Sequence, residues 1–95
     1  MEILEKCYKK DPNIVYRKVA NEYVLVPIRH KLGDLQSIYS LNEVSARIWE
    51  LIDGRRKIRD IRDKILEEFK VGPEEAEKDI VEFIQQLKSV DAIKE

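Results

Sequence analysis

Leu41-Asn42-Glu43-Val44-Ser45-Ala46-Arg47-Ile48-Trp49-Glu50-Leu51-Ile52-Asp53-Gly54 decides the fold, because the stretch carries its own start, face and stop. Asn42 is a good helix N-cap: its side-chain oxygen can accept from the first free N–H groups, and Glu43 complements the positive helix terminus. Val44, Ile48, Leu51 and Ile52 follow at helical spacing. Asp53-Gly54 supplies the exit, glycine being the residue that takes a left-handed cap without steric cost. Trp49, the only tryptophan, sits among Ile48, Leu51 and Ile52 and reads as a core ring.

Upstream of this helix the chain is rich in Val, Ile and Tyr, and downstream in Glu, Lys, Arg and Leu, so strands precede helices. Ile14-Val15-Tyr16-Arg17-Lys18-Val19 and Glu22-Tyr23-Val24-Leu25-Val26-Pro27-Ile28 flank Ala20-Asn21, a connection compatible with a tight hairpin. Pro27 cannot donate to a ladder, which argues for an edge or a bulge at that end. After the polar Arg29-His30-Lys31-Leu32-Gly33-Asp34, Gln36-Ser37-Ile38-Tyr39-Ser40 reads as a third short strand. Met1 to Pro12 is either a loose arm or an extra pairing element, a choice that the residues leave open. Downstream, Ile58, Ile61, Ile65, Leu66 and Phe69 share one face of a second helix that ends before Gly72-Pro73. Pro73 suits the first position of a third helix, with Glu74, Glu75 and Glu77 in its first turns and Ala76, Ile80, Phe83, Ile84 and Leu87 as its buried stripe. The expectation is an α+β, winged helix-turn-helix-like domain: a three-stranded antiparallel sheet followed by three helices, with an N-terminal arm at 1–12 and the domain proper at 13–95.

Ninety-five residues allow one core of ordinary size, and 43% hydrophobic against 39% charged residues is a balance that folds. Eighteen Lys and Arg oppose 19 Asp and Glu, so the net charge of −1 gives no global field to attract nucleic acid or anionic lipid. One cysteine, Cys7, excludes an internal disulfide framework and fits a reducing compartment. The first residues lack a secretory signal, and no run approaches 18 apolar residues, so the expectation is a cytoplasmic chain without a membrane partner.

Catalytic chemistry has little to stand on. His30 is the only histidine and far from Cys7 in sequence, so no spacing suggests a metal site or a nucleophile–base pair. The acidic residues fall on helix surfaces and N-termini, and the three glycines are isolated, leaving no phosphate-cradling loop. The expectation is no enzyme, no metal and no cofactor. Arg55 to Lys64 holds six basic and two acidic residues, the one concentrated positive patch; Asp60 and Asp63 lie within pairing reach of Arg56 and Arg59, and a solvated, internally paired face is its ordinary reading. A DNA-binding winged-helix regulator is the alternative from another class. The helix that would enter the groove, however, begins with Glu74, Glu75, Glu77 and Asp79 against Lys78 alone, which repels phosphates. Val81 lies about 100° from the centre of the third helix's apolar stripe, on a flank with Glu77, Gln85 and Lys88, and widens the apolar face on that side.

The run Tyr39 to Gly54 resembles the Leu-Asn-x-x-x-x-x-Ile-Trp-x-Leu-x-Asp-Gly signature of the PqqD-like family, coenzyme PQQ synthesis protein D and its relatives. The resemblance extends through Ile61 and Ile65, Glu77-x-Asp79-Ile80 and Phe83-x-x-x-Leu87, covering roughly residues 13 to 93; it departs where family members often end on Gly-Leu-Ile and this chain has Asp91-Ala92-Ile93. It implies a peptide-recognition domain that looks like a winged helix-turn-helix and binds the leader of a ribosomally made precursor peptide, PQQ-type or related, as an added strand along the third strand and against the third helix. Such a noncatalytic peptide chaperone presents the leader to a modifying enzyme, a radical SAM protein in the coenzyme pathway. The expected site joins the backbone of Ser37, Ile38, Tyr39 and Ser40 to Val81, Gln85 and Lys88, with Ile38 or Tyr39 and Val81 forming apolar pockets. An open edge strand also suggests a monomer with some weak homodimer, or a structural module whose edges pair.

Overall fold

The computed structural model describes residues 2–12, 14–27 and 39–95. Its strands are β1 (Lys9–Lys10), β2 (Ile14–Val19), β3 (Glu22–Pro27), β4 (Tyr39–Leu41) and β5 (Ile93–Lys94); its helices are α1 (Glu43–Leu51), α2 (Ile58–Glu68) and α3 (Pro73–Ser89). The antiparallel sheet β2-β3-β4 precedes the three helices, as the residue pattern predicts.

β2 and β3 pair from Ile14 with Pro27 to Val19 with Glu22, which leaves only Ala20 and Asn21 in the turn. Ala20 adopts φ 56°, a left-handed conformation unusual for alanine. Tyr16, Lys18, Tyr23 and Leu25 share one face, where the rings of Tyr16 and Tyr23 stack 6.0 Å apart and Leu25 is buried in the core. Pro27 argues in the sequence for an edge or bulge; β3 is instead the central strand, and the proline is accommodated as its last residue.

Each helix is bounded by the expected chemistry. Asn42 Oδ1 accepts the Ser45 N–H at 2.8 Å and opens α1. Past its end, Asp53 Oδ1 accepts the backbone N–H groups of Arg55 and Arg56, each at 2.9 Å, while Gly54 turns the chain at φ 81°. A Cβ at Gly54 would lie 3.0 Å from Lys9 Cγ, so the conformation favours glycine and any larger residue would also have to push the Lys9 side chain aside. Asp60 caps α2 by accepting the Lys57 N–H at 3.0 Å, and Pro73 starts α3. The α3 exit is a Schellman motif: Ala92 N–H bonds Leu87 O at 2.9 Å and Asp91 N–H bonds Lys88 O at 3.1 Å, with Asp91 at φ 59°.

The core lies where the α1 face of Ile48, Trp49 and Ile52 meets the stripes of α2 (Ile58, Ile61, Ile65) and α3 (Ile80, Ile84, Leu87). Residues 2–12 pack onto it as an extra pairing element. A 3-10 turn at Glu2–Glu5 precedes β1, which pairs with β5 and not with the three-stranded sheet. Ile58 N–H bonds Lys6 O at 3.0 Å, Asp11 N–H bonds Ala92 O at 2.9 Å, and Tyr8 is 1% exposed.

Candidate functional site

β4 is an edge strand: its inner side pairs with β3 through Tyr23–Leu41, Val24–Ser40 and Leu25–Tyr39, and no described strand pairs with its outer side. Such an edge presents unpaired backbone donors and acceptors. The segment at 2–12 leaves it open, because β1 is committed to β5.

Beside this edge runs a groove against α3. At one end, a recess of about 100 Å³ is lined by Ser40, Leu41, Phe83, Leu87 and Val90, with Ser45 and Gln86 at its rim. Ser45, Phe83 and Gln86 are shared with a second recess of about 240 Å³, which continues past Asn42 and Val44 to Asp79 and Glu82. The first is apolar at its base and ends on Val90, 39% exposed; the second is polar and acidic. Neither the Asp79 nor the Glu82 carboxylate makes an ion pair or hydrogen bond among the described residues.

The expected site residues are divided by this geometry. Ser40 lines the groove, and Tyr39 takes its place in the β4 ladder. Ser37 and Ile38 lie outside the described residues. Val81, Gln85 and Lys88 do not line the groove: Val81 borders another depression, of about 340 Å³, with Glu74, Glu77, Lys78 and Glu82, which meets the groove at Glu82; Gln85 is exposed, and the Lys88 ammonium lies 5.8 Å from the centre of the Tyr8 ring. The reason is angular. At 100° per residue, Asp79, Phe83, Gln86 and Val90 fall on one flank of the buried stripe centred on Ile80, and Val81, Gln85 and Lys88 fall on the other. Leu41, Gln86 and Val90 line the groove without being among the expected residues. Recurrence at 79, 83, 86 and 90 is a helical signal for them, but Phe83 reads equally as core and Val90 lies just past the helix end.

Four of the six basic residues of the arginine patch pair within the fold. Arg59 and Lys57 pair with Glu5 at 2.9 and 3.2 Å, Arg56 with Asp53 at 2.9 Å, and Arg62 with Asp63 and Glu77 at 3.3 and 3.6 Å. The expected partners Asp60 and Asp63 therefore do not serve Arg56 and Arg59: Asp53, three residues back, serves the first, and the sequence-distant Glu5 serves the second. The Arg55 and Arg56 N–H groups hold the Asp53 carboxyl below the usual carboxylate range, which keeps this turn charged and closed. A second polar node ties helices to sheet: Arg47 forks onto Glu68 at 2.7 and 3.0 Å and reaches Glu50 at 3.2 Å, while Tyr16 O–H donates to Glu50 at 3.0 Å.

Residues 22–93 match the model of the family described as coenzyme PQQ synthesis protein D (PqqD). Two solved structures share the fold. "TbiB1 in Complex with the TbiA(beta) Leader Peptide" is 23% identical with a TM-score of 0.72, covering 90% of this chain and 94% of its own. "Lasso peptide synthetase B1 complexed with the leader peptide" is 20% identical with a TM-score of 0.75, covering 95% and 100%. No curated protein matches the chain significantly.

Proposed function

Because the chain belongs to the coenzyme PQQ synthesis protein D (PqqD) family, we propose that it binds the leader of a ribosomally made precursor peptide as a strand added to β4 and presents it to a modifying enzyme. The role is binding, not catalysis, and the enzyme that the family resemblance points to is a radical SAM protein. The observation that carries this reading is the juxtaposition of a β4 edge that no described strand covers with the recess of Leu41, Phe83, Leu87 and Val90. An added strand takes its register from backbone hydrogen bonds to β4, and every second side chain points toward α3, where the recess can desolvate an apolar one. Both similar solved structures are complexes with leader peptides, which supports a leader peptide as the ligand here. DNA binding is disfavoured by the exposed Glu74, Glu75 and Asp79 on α3.

The test is a titration of labelled leader peptides, taken from short reading frames encoded beside the gene, against two variants. Val90→Asp puts a carboxylate on the rim of the apolar recess and should weaken binding by about 1 to 3 kcal/mol, on the order of ten- to hundredfold. Val81→Asp, on the opposite flank, should change affinity less than about threefold. With circular dichroism confirming both folds, the reverse result would move the site to the Val81 flank.

A further inference from the structure

On the reading that a strand adds to β4, we infer that the bound segment carries lysine or arginine two or four residues from its apolar anchor, on the same face, and that Asp79 and Glu82 select it. The groove is asymmetric: its Ser40–Val90 end is apolar, and its far end closes on two carboxylates and the polar Asn42 and Gln86. What sets those carboxylates apart is their place. Asp79 and Glu82, like Glu74 and Glu75 at the start of the helix, have no cationic partner among the described residues, and they are the acidic pair that lines this recess. They lie three apart on α3, close enough for both to face one ammonium or guanidinium.

The spacing follows from two rises per residue. α3 climbs about 6 Å from Phe83 to Asp79 and about 12 Å from Leu87 to Asp79 at 1.5 Å per residue, distances that an extended chain covers in about two and four residues. Even counts keep both side chains on the face turned toward α3. A leader with glutamate at that position would meet like charge at the same depth, so the pair rejects as well as attracts.

The experiment selects displayed random dodecapeptides on the wild-type chain and on Asp79→Lys/Glu82→Lys. Wild-type peptides should carry Lys or Arg two or four positions from an aliphatic or aromatic residue, and peptides from the charge-reversed chain should carry Asp or Glu there. Replacing that lysine by glutamate should weaken binding to wild type by about five- to thirtyfold at 0.1 M salt, and by less at 1 M, where the Debye length falls to about 3 Å. Alternate N-methylation of the peptide backbone then separates the two ideas. Peptides sensitive to it but showing no charge preference would overturn the selection by Asp79 and Glu82 and leave strand addition intact. Insensitivity at every amide would sink strand addition and this inference together. If the charge reversal fails to fold, Asp79→Asn/Glu82→Gln takes its place, and persistence of the lysine preference there overturns the proposal.

Discussion

Asp91 occupies the left-handed residue after α3, at φ 59°, a conformation that glycine adopts at no steric cost. An L-residue is strained there, and a carboxylate beside the negative end of a helix is electrostatically unfavourable. Both costs are local, since the Schellman hydrogen bonds come from backbone atoms and the buried positions of the motif are filled by Ala92 and Ile93. Asp91→Gly should therefore stabilise the chain by about 0.5 to 1.5 kcal/mol, a rise of several degrees in thermal midpoint by circular dichroism; an unchanged or lower midpoint would contradict this account. Tyr16 gives a second residue-level expectation. Burial first, then its hydrogen bond to Glu50, pushes the phenol up to about 12. A phenol that ionises later in the folded chain than at its ordinary value near 10 contributes stability fully present below pH 10, lost as pH rises from there through about 12. Urea midpoints measured from pH 9 to 12 should fall with a slope that Tyr16→Phe reduces, and absorbance titration should show one tyrosine ionising late.

At the scale of elements, what could be read from residues is what depends on neighbours in sequence. Asn42, Asp53-Gly54 and Gly72-Pro73 bound helices that end where their chemistry says, and Ala20-Asn21 places the hairpin to the residue. The third strand was legible as a segment but lies at Tyr39–Leu41 among the described residues, one residue later than its expected end. The groove flank was not legible for a physical reason. Periodicity fixes the axis of the α3 stripe through Ile80, Ile84 and Leu87, yet both flanks of that stripe are equivalent until β4 and α1 are packed on one of them. Val81 drew the expectation because it is the apolar residue on its flank, while the flank beside β4 and the start of α1 shows Asp79, Glu82 and Gln86 and keeps its apolar surface in residues that also serve the core. The arginine patch was misassigned for a related reason: i,i+4 pairing is local, and the carboxylate that meets Arg59 and Lys57 is Glu5, which no spacing rule connects to them.

Across the whole molecule, residues 2–12 belong to the fold of the remainder, although the sequence suggests an arm that could be set apart from 13–95. Two-residue strands such as β1 and β5 carry no periodicity, so their pairing appears only when the chain is closed on itself. That closure has energetic weight. Tyr8 is buried beside the end of α3, Ile3 and Leu4 pack on the core, and Lys6 O accepts the first N–H of α2. Removing one buried aromatic costs about 3 to 5 kcal/mol, already a large share of the roughly 5 to 15 kcal/mol that holds a small domain together. A chain cut to residues 13–95 should thus lose its cooperative thermal transition, or show it lowered by more than about 15 °C, and should lose peptide binding with it even though the cut touches neither β4 nor the groove. Tyr8 separates packing from polarity within this effect. Its hydroxyl is buried with no hydrogen-bond partner among the described residues, so Tyr8→Phe should be neutral or stabilising by about 1 kcal/mol, while Tyr8→Ala should cost about 3 kcal/mol or more. Equal melting of the truncated and full chains would show that the segment merely lies on the surface, and loss of stability in Tyr8→Phe would show that the hydroxyl, not the ring, is what the core holds.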